Sequence, residues 1–307
     1  MYIYVSFSLP PDTVVLWHGM GDSCCNPDSM GKIKSTIEDL LPGTYVHSIQ
    51  IGESDNDDKN AGFFGNVDLA CQQLREDESL QGGFNAVGFS QCLRVSDIPG
   101  CLDPKDTSCR LMRTIARRGA YSGYVRDHVV QAQYYKDPDN IKDYLAKNIF
   151  LPDVNNELDF NRTYVQHLSS LHRLVLIRFT DDVTVKPGES AWFWFFDEFG
   201  DLIPLEEQPL WLEDWLGLRR LAERGKRTGE SHLIFADCPG EHMRISLEYF
   251  EDEVIWPYLA EEEKPAKLDG DDEKRREQVI AMGSDRNAEI RLVKQDISGL
   301  KTQSREQ

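Results

Sequence analysis

Up to residue 260, mostly apolar runs of five to seven residues alternate with longer segments whose apolar residues recur at helical spacing. The β-branched run over 13–17, followed by His-Gly-Met-Gly, is typical of a strand buried in a parallel sheet. A stripe at helical spacing covers 30–41 and ends at Pro42-Gly43. Further strands are predicted over 45–51, 84–89, 174–179 and 232–236, and further helices over 67–74 and 243–258. Alternating strands and helices predict an α/β domain with a mostly parallel sheet.

The two ends of the chain fall outside this alternation. We expect an N-terminal extension over 1–12, a catalytic domain over 13–260, and a charged, disordered tail over 261–307 that lacks aromatic residues. Within the domain, about 111–170 shows a mostly helical pattern and is interpreted as a helical insertion that covers the site. No apolar run reaches the length of a transmembrane segment. The apolar start lacks a basic region, so no clear signal peptide is predicted.

Charge and cysteine usage narrow the function classes. The chain has 53 acidic and 34 basic residues and a formal net charge of −19, which argues against nucleic acid as a partner. No Cys-x-x-Cys pair or histidine cluster is present, so a zinc site is not expected. A disulfide between Cys101 and Cys109 can close a local loop. Asn161 begins an Asn-x-Thr sequon, which matters only in a secreted protein.

Ser90 is the candidate nucleophile. It stands in Gly-Phe-Ser-Gln directly after a predicted buried strand, and this arrangement resembles the nucleophile elbow of α/β-hydrolases. A sharp strand-to-helix turn there lifts the hydroxyl above the sheet. The elbow signature ends in glycine, whereas this chain has Cys92. A Gly-x-Ser sequence after a strand is weak evidence for a nucleophile on its own, so the interpretation depends on whether the chain also offers a base and an acid.

A serine hydroxyl needs a base and an acid that orients the base, in the chain order Ser, acid, His. His242 lies in a glycine-containing loop after the last predicted strand and is the candidate base. His232 begins that strand and is interpreted as structural. Asp181 and Asp182 both follow the strand over 174–179, and either can be the acid or merely an Asx turn.

An oxyanion hole needs two backbone N–H groups. One comes from the residue after the nucleophile, here Gln91, and the other from a loop after an early strand. The His-Gly-Met-Gly sequence supplies such a loop, with Met20 as the candidate donor. The glycines also fit an ordinary turn.

One long motif indicates a family. The sequence WHGMGDSCCNP over 17–27 and the stretch FNAVGFSQ over 84–91 resemble lysosomal palmitoyl-protein thioesterases. Shorter matches continue to the Gly-Glu-His loop, so the resemblance covers about 13–260. It implies an α/β-hydrolase fold. It also implies these roles: Ser90 as nucleophile, Asp182 as acid, His242 as base, Met20 and Gln91 as oxyanion donors, Cys24–Cys25 and Cys101–Cys109 as disulfides, and Asn161 as a glycosylation site.

The resemblance also implies an activity. Members of the family cleave long-chain fatty-acyl thioesters from cysteine, so S-palmitoylated proteins, acyl-cysteine peptides and acyl-CoA are the expected substrates, and no cofactor is implied. A lysosomal or secreted location is implied too. Two alternatives stay open: a generic lipid carboxylesterase with the same triad, and an inactive splice or gene-model variant.

The inactive alternative arises from a departure just after Ser90. The family pattern continues there with a helix and a strand, but only about ten residues separate Ser90 from Cys101, too few for both elements. We therefore expect one central strand and its helix to be missing. The strands on either side would then be left with unpaired backbone groups or would pair with each other, and the protein would be only marginally stable.

Overall fold

A computed structural model describes residues 2–5, 13–19, 21–64, 67–90, 119, 121–123, 133–197, 199–260 and 279–281. Its strands are β1 (Tyr2–Val5), β2 (Thr13–Trp17), β3 (Tyr45–Ser48), β4 (Asn85–Gly88), β5 (Arg173–Phe179), β6 (Phe195–Phe196), β7 (Leu202–Ile203), β8 (Leu233–Cys238), β9 (Arg244–Ser246) and β10 (Val279–Ala281). Six of them form one sheet in the order β3-β2-β4-β1-β5-β8. β2 is parallel to β3 and β4, and β5 is parallel to β8. The predicted α/β fold with a mostly parallel sheet is confirmed.

The strand β1 fills the position between β4 and β5. It runs antiparallel to both, with Tyr2 opposite Gly88 on one side and Leu176 on the other. The expectation that the flanking strands would have unpaired edges or pair directly is therefore wrong. The physical reason is that buried backbone groups require partners, and a Tyr-Ile-Tyr-Val segment has high strand propensity. Four residues of the expected N-terminal extension thus belong to the centre of the sheet.

Helices cover both faces of the sheet, which places the core between the layers. They are α1 (Met30–Leu40), α2 (Asp55–Phe64), α3 (Val67–Glu76), α4 (Ile141–Lys147), α5 (Leu151–Val154), α6 (Arg162–Ser170), α7 (Pro209–Leu212), α8 (Leu218–Thr228) and α9 (Leu247–Phe250), which continues as a π-helix over Glu251–Leu259. On one face, α1 and the π-helix pack against β2, β4 and β5. On the other, α3 packs near β2, and α8 packs against β5. None of the described helices is both long and apolar enough to span a bilayer.

Two predicted segments differ from their expectation. The last helix begins at Leu247, not near 243, because Met243 has a positive φ of 59° and β9 intervenes. Ser246 then caps the helix by accepting a hydrogen bond from the N–H of Tyr249. In the tail, β10 pairs antiparallel with β9. The insertion shows the expected helices α4, α5 and α6 among its described residues.

Candidate active site

Ser90 lies two residues after the end of β4. The N–H of Phe89 still donates to the carbonyl of Trp17 (3.0 Å), so the backbone is in the sheet until one residue before the serine. Ser90 itself has a φ of 65°, in the left-handed region that costs free energy for a non-glycine residue. Such strain is typical of a nucleophile elbow, because it turns the hydroxyl out of the sheet.

His242 is held beside Ser90 by the loop after β8. This loop is tied to the end of β5, since Asp181 N–H donates to Gly240 O (2.9 Å) and Gly240 N–H donates to Thr180 Oγ1 (3.2 Å). Gly240 has a φ of 115°, which an L side chain rarely adopts. The His242 ring is 9% exposed and packs edge-on against Phe179. Backbone contacts therefore fix the position of the imidazole.

Asp182 orients that imidazole. Its Oδ2 accepts a hydrogen bond from His242 Nδ1 (2.6 Å). Its Oδ1 accepts from the N–H groups of Thr184 (2.8 Å) and Val185 (2.9 Å), which fix the carboxylate in turn. Asp181, the other sequence candidate, is exposed and contacts the loop through its backbone.

Ser90 completes the relay. Its Oγ lies 2.9 Å from His242 Nε2, so its hydroxyl can donate to the neutral imidazole. The structure thus brings together Ser90, His242 and Asp182, which are separated by up to 152 residues in sequence. An imidazole so placed can take the serine proton and stabilise the resulting charge through the carboxylate. His232 lies elsewhere, buried against His172 O (2.6 Å) and Thr228 Oγ1 (3.2 Å).

The loop after β2 approaches Ser90 closely. A Cβ added to Gly19 would lie 3.2 Å from both Phe89 O and Ser90 Cβ, so a side chain there would force its neighbours to shift by a few tenths of an ångström. Asp22 N–H donates to Gly19 O (3.3 Å), and Asp22 Oδ1 accepts from Ser23 N, Asn26 Nδ2 and Ser29 Oγ. The predicted oxyanion donors Met20 and Gln91 lie outside the described residues.

The remaining predicted positions are the disulfide cysteines and the glycosylation site. Cys24 and Cys25 are joined by a disulfide between adjacent residues. Cys101 and Cys109 lie outside the described residues. Burial raises the pKa of the Cys238 thiol to about 12, so it does not compete as a nucleophile. Asn161 Oδ1 accepts from Thr163 N–H (2.9 Å) and caps α6.

Sequence reasoning missed one buried pair next to this site. His18 Nε2 lies 3.0 Å from Asp58 Oδ1, and the two residues are 1% and 0% exposed. Asp58 stands in an acidic run that a sequence pattern assigns to a solvated helix start. A separation of 40 residues offered no spacing signal. The only available signal was the place of His18 in the glycine-rich loop.

The sheet, the strained serine and the His–Asp relay define an α/β-hydrolase. Comparison with known families agrees, because the family described as palmitoyl protein thioesterase matches residues 13–94 and 93–242. The chain belongs to the palmitoyl protein thioesterase family. The match falls into two stretches that meet at residues 93 and 94, where the sequence departs from the family pattern after Ser90.

Curated relatives extend over most of the chain. Palmitoyl-protein thioesterase 1 of Caenorhabditis elegans is 37% identical over 279 residues, covering 80% of this chain and 91% of the relative. Palmitoyl-protein thioesterase 3 of Dictyostelium discoideum is 31% identical, covering 78% and 92%. The lysosomal thioesterase PPT2 homolog of Drosophila melanogaster is 27% identical, covering 83% and 94%. The first alignment is longer than the part of this chain it covers, so that relative carries residues that this chain lacks.

Proposed function

We propose that the protein hydrolyses long-chain fatty-acyl thioesters of cysteine in S-palmitoylated proteins, with Ser90 as the nucleophile, His242 as the base and Asp182 as the acid. The relay of hydrogen bonds from Ser90 Oγ to His242 Nε2 (2.9 Å) and from His242 Nδ1 to Asp182 Oδ2 (2.6 Å) carries this proposal. The names of the relatives support the substrate class. Acyl-cysteine peptides and acyl-CoA present the same thioester and belong to the same proposal.

The reaction proceeds in two halves. Ser90 Oγ attacks the thioester carbonyl while His242 takes its proton, and the C–S bond breaks as His242 returns that proton to the cysteine sulfur. An acyl-serine ester remains. Water then attacks this ester with His242 again as the base, and the fatty acid leaves. The proposed oxyanion donors are the N–H groups of Met20 and Gln91, which stabilise the charge on the carbonyl oxygen.

The test compares purified full-length protein with Ser90→Ala. We expect the wild type to react with a fluorophosphonate probe and to hydrolyse a palmitoyl-thioester peptide faster than the matched oxygen ester. Ser90→Ala should lose both the probe label and the hydrolysis. Faster cleavage of the oxygen ester would favour a generic carboxylesterase, and a folded wild type without label would favour the inactive variant.

The proposal includes an acidic, lysosomal setting. Relatives from Drosophila melanogaster and Mus musculus are named lysosomal thioesterases, and an adjacent-cysteine disulfide persists in oxidising compartments. In that setting Asn161 would carry a glycan and Cys101 would pair with Cys109. Expression in secretory cells followed by glycosidase treatment and mass mapping checks both modifications. An unshifted band, or Cys101 paired elsewhere, would contradict them.

A further inference from the structure

Asp58 is a buried carboxylate at which three segments of the chain meet. Its Oδ1 faces His18 Nε2 (3.0 Å) and accepts from Ile51 N–H (2.7 Å). Its Oδ2 accepts from Cys24 N–H (2.7 Å). These contacts join the loop after β2, the adjacent-cysteine disulfide and the loop after β3. A carboxylate that accepts two N–H bonds is stabilised in its charged form.

The contacts of His18 define its protonation state. Nε2 faces the Asp58 carboxylate, and Nδ1 faces the carbonyl oxygen of Gly19 at 2.8 Å. Both partners are acceptors, and only the imidazolium carries a hydrogen on each nitrogen. A neutral imidazole would leave one lone pair against one of these oxygens. The arrangement therefore requires a proton on both nitrogens.

The carbonyl that His18 holds belongs to the residue that touches the nucleophile. Gly19 is so close to Ser90 that a Cβ would meet Ser90 Cβ at 3.2 Å. The same carbonyl accepts from Asp22 N–H (3.3 Å). His18 and Asp22 thus both bind the carbonyl oxygen of Gly19, the residue that directly precedes the proposed oxyanion donor.

We infer that His18 is a positioning residue that, as an imidazolium paired with Asp58, fixes the Gly19 loop against Ser90 and makes the activity depend on its proton. This inference rests on the proposed function, since it concerns the loop that would stabilise the oxyanion of that reaction. It assigns His18 no contact with substrate. On deprotonation the Asp58 carboxylate retains the hydrogen on Nε2, so the hydrogen bond from Nδ1 to Gly19 O is the one lost. Only the longer bond from Asp22 N–H would then hold this carbonyl, and the loop would loosen against Ser90.

The charges around His18 agree with this role. The charged groups that act on it most strongly in the described part of the chain are Asp58 and Asp22, both acidic. Burial alone would lower the pKa of His18, but the hydrogen bonds to Asp58 and Gly19 and these two charges offset it and raise the pKa above its usual value. Burial likewise opposes ionised Asp58, yet the bonds from His18, Ile51 and Cys24 lower its pKa.

The sign of the pH dependence follows from these two shifts in pKa. A raised histidine pKa gives stability that is complete below the unfolded value of about 6.5 and is lost as pH rises through the folded value. A lowered aspartate pKa gives stability that is present above about 3.9 and is lost as pH falls through the folded value. The pair is therefore intact between these limits, which include acidic compartments.

The kinetic test uses His18→Gln and Asp58→Asn, assayed on a soluble acyl thioester across pH. We expect Asp58→Asn to move the loss of kcat at high pH to lower pH by about one unit or more, because His18 loses its counter-charge. His18→Gln should lower kcat by about 10²-fold with little change in KM, and should lose this high-pH limb.

The matched control for the kinetic test is His232→Gln. This histidine is also buried, but its hydrogen bonds go to a carbonyl and a hydroxyl group rather than to a carboxylate. The variant should keep the wild-type pH profile. An unchanged high-pH limb in Asp58→Asn would overturn the inference.

A second measurement is independent of activity. In the Ser90→Ala background, the loss of Tm caused by His18→Gln should be largest near about pH 5.5 and shrink at higher pH. If the loss of Tm is the same at about pH 5.5 and at higher pH, the inference that the pair depends on the His18 proton is overturned. If the wild type fails to hydrolyse thioesters while this loss varies with pH, the proposed function fails and the paired imidazolium stands.

Discussion

Two buried histidine–aspartate pairs lie near Ser90 in the described part of the chain, and they differ in what faces the second ring nitrogen. In the pair of His242 and Asp182, that nitrogen faces a serine hydroxyl, which can donate. In the pair of His18 and Asp58, it faces the carbonyl of Gly19, which can only accept. The first imidazole can therefore be neutral and take up a proton, whereas the second must keep the proton it has.

This difference separates catalysis from positioning. A carboxylate next to a buried histidine does not by itself indicate a catalytic base, because both pairs have one. Backbone donors fix the acid in both pairs as well: Thr184 and Val185 for Asp182, and Cys24 and Ile51 for Asp58. The atom beyond the imidazole decides what the histidine can do.

The largest expected effect comes from the pair that faces Ser90. Asp182→Asn and His242→Ala should each lower kcat by about 10⁴-fold at every pH tested, because the base is misoriented or absent. Steady-state kinetics across pH measure the loss, and circular dichroism should show both variants folded. An activity loss as small as that of His18→Gln would break the distinction between the two pairs.

The next effect concerns the contact between the loop and the nucleophile. Gly19→Ala places a Cβ 3.2 Å from Phe89 O and Ser90 Cβ, which pushes the loop away from the serine. We expect kcat to fall by up to about 10²-fold, since a displacement of about 1 Å costs that much. Gly82→Ala serves as the control, because its added Cβ meets nothing within 4 Å and, as at Gly19, the backbone is not in the left-handed region. Equal kcat in wild type and Gly19→Ala would separate this loop from the reaction.

The two histidine–aspartate pairs also differ in where they lie relative to the strand β1. β1 lies between β4, which leads to Ser90, and β5, which leads to Asp182, whereas His18 and Asp58 are on the β4 side of it. Ile3→Pro removes a backbone donor from β1 and should cost about 1–3 kcal/mol of unfolding free energy. Denaturant unfolding measures this cost, and fluorophosphonate labelling of Ser90 should fall with it.

The control for this change is Ile3→Ala, which alters the side chain but keeps the N–H group. If Ile3→Pro and Ile3→Ala lower Tm and labelling equally, the backbone pairing of β1 is not what supports the triad.

The smallest effect is expected at His232, the remaining buried histidine of the described residues. A neutral ring with its hydrogen on Nδ1 can donate to His172 O and accept at Nε2 from the Thr228 hydroxyl, so both contacts are satisfied without a charge. His232→Gln should cost about 1 kcal/mol of unfolding free energy and leave kcat and KM unchanged. Denaturant unfolding and steady-state kinetics measure these quantities. A large loss of kcat in a folded variant would make His232 part of the site after all.

The sequence predicted the elements whose pattern is local. The predicted strand over 13–17 and helix over 30–41 match Thr13–Trp17 and Met30–Leu40 closely, because continuous β-branched runs and helical stripes report burial directly. The choice of Asp182 over Asp181 depended on the family pattern. The structure places Asp182, not Asp181, against His242.

Features that depend on distant partners were not predictable. The sequence Tyr2–Val5 is that of an apolar strand, but it does not indicate that this strand pairs with β4 and β5. An apolar segment of the same composition could equally lie outside the sheet. Asp58 likewise has the local sequence of a surface helix start, and only the approach of His18 makes it a buried anion. A pattern describes which surfaces are apolar, but it does not describe which distant atoms satisfy a buried charge.

The place of β1 has a consequence for biosynthesis. β1 is made before all the other described strands, yet one of its two partners is β5, about 170 residues later. At roughly 5–20 residues per second, β5 follows it from the ribosome about ten to thirty seconds later. During that interval β1 is an apolar segment with an unpaired edge, which is the kind of segment that aggregates or recruits chaperones. The yield of folded protein should therefore depend on the pace of translation between residues 5 and 173.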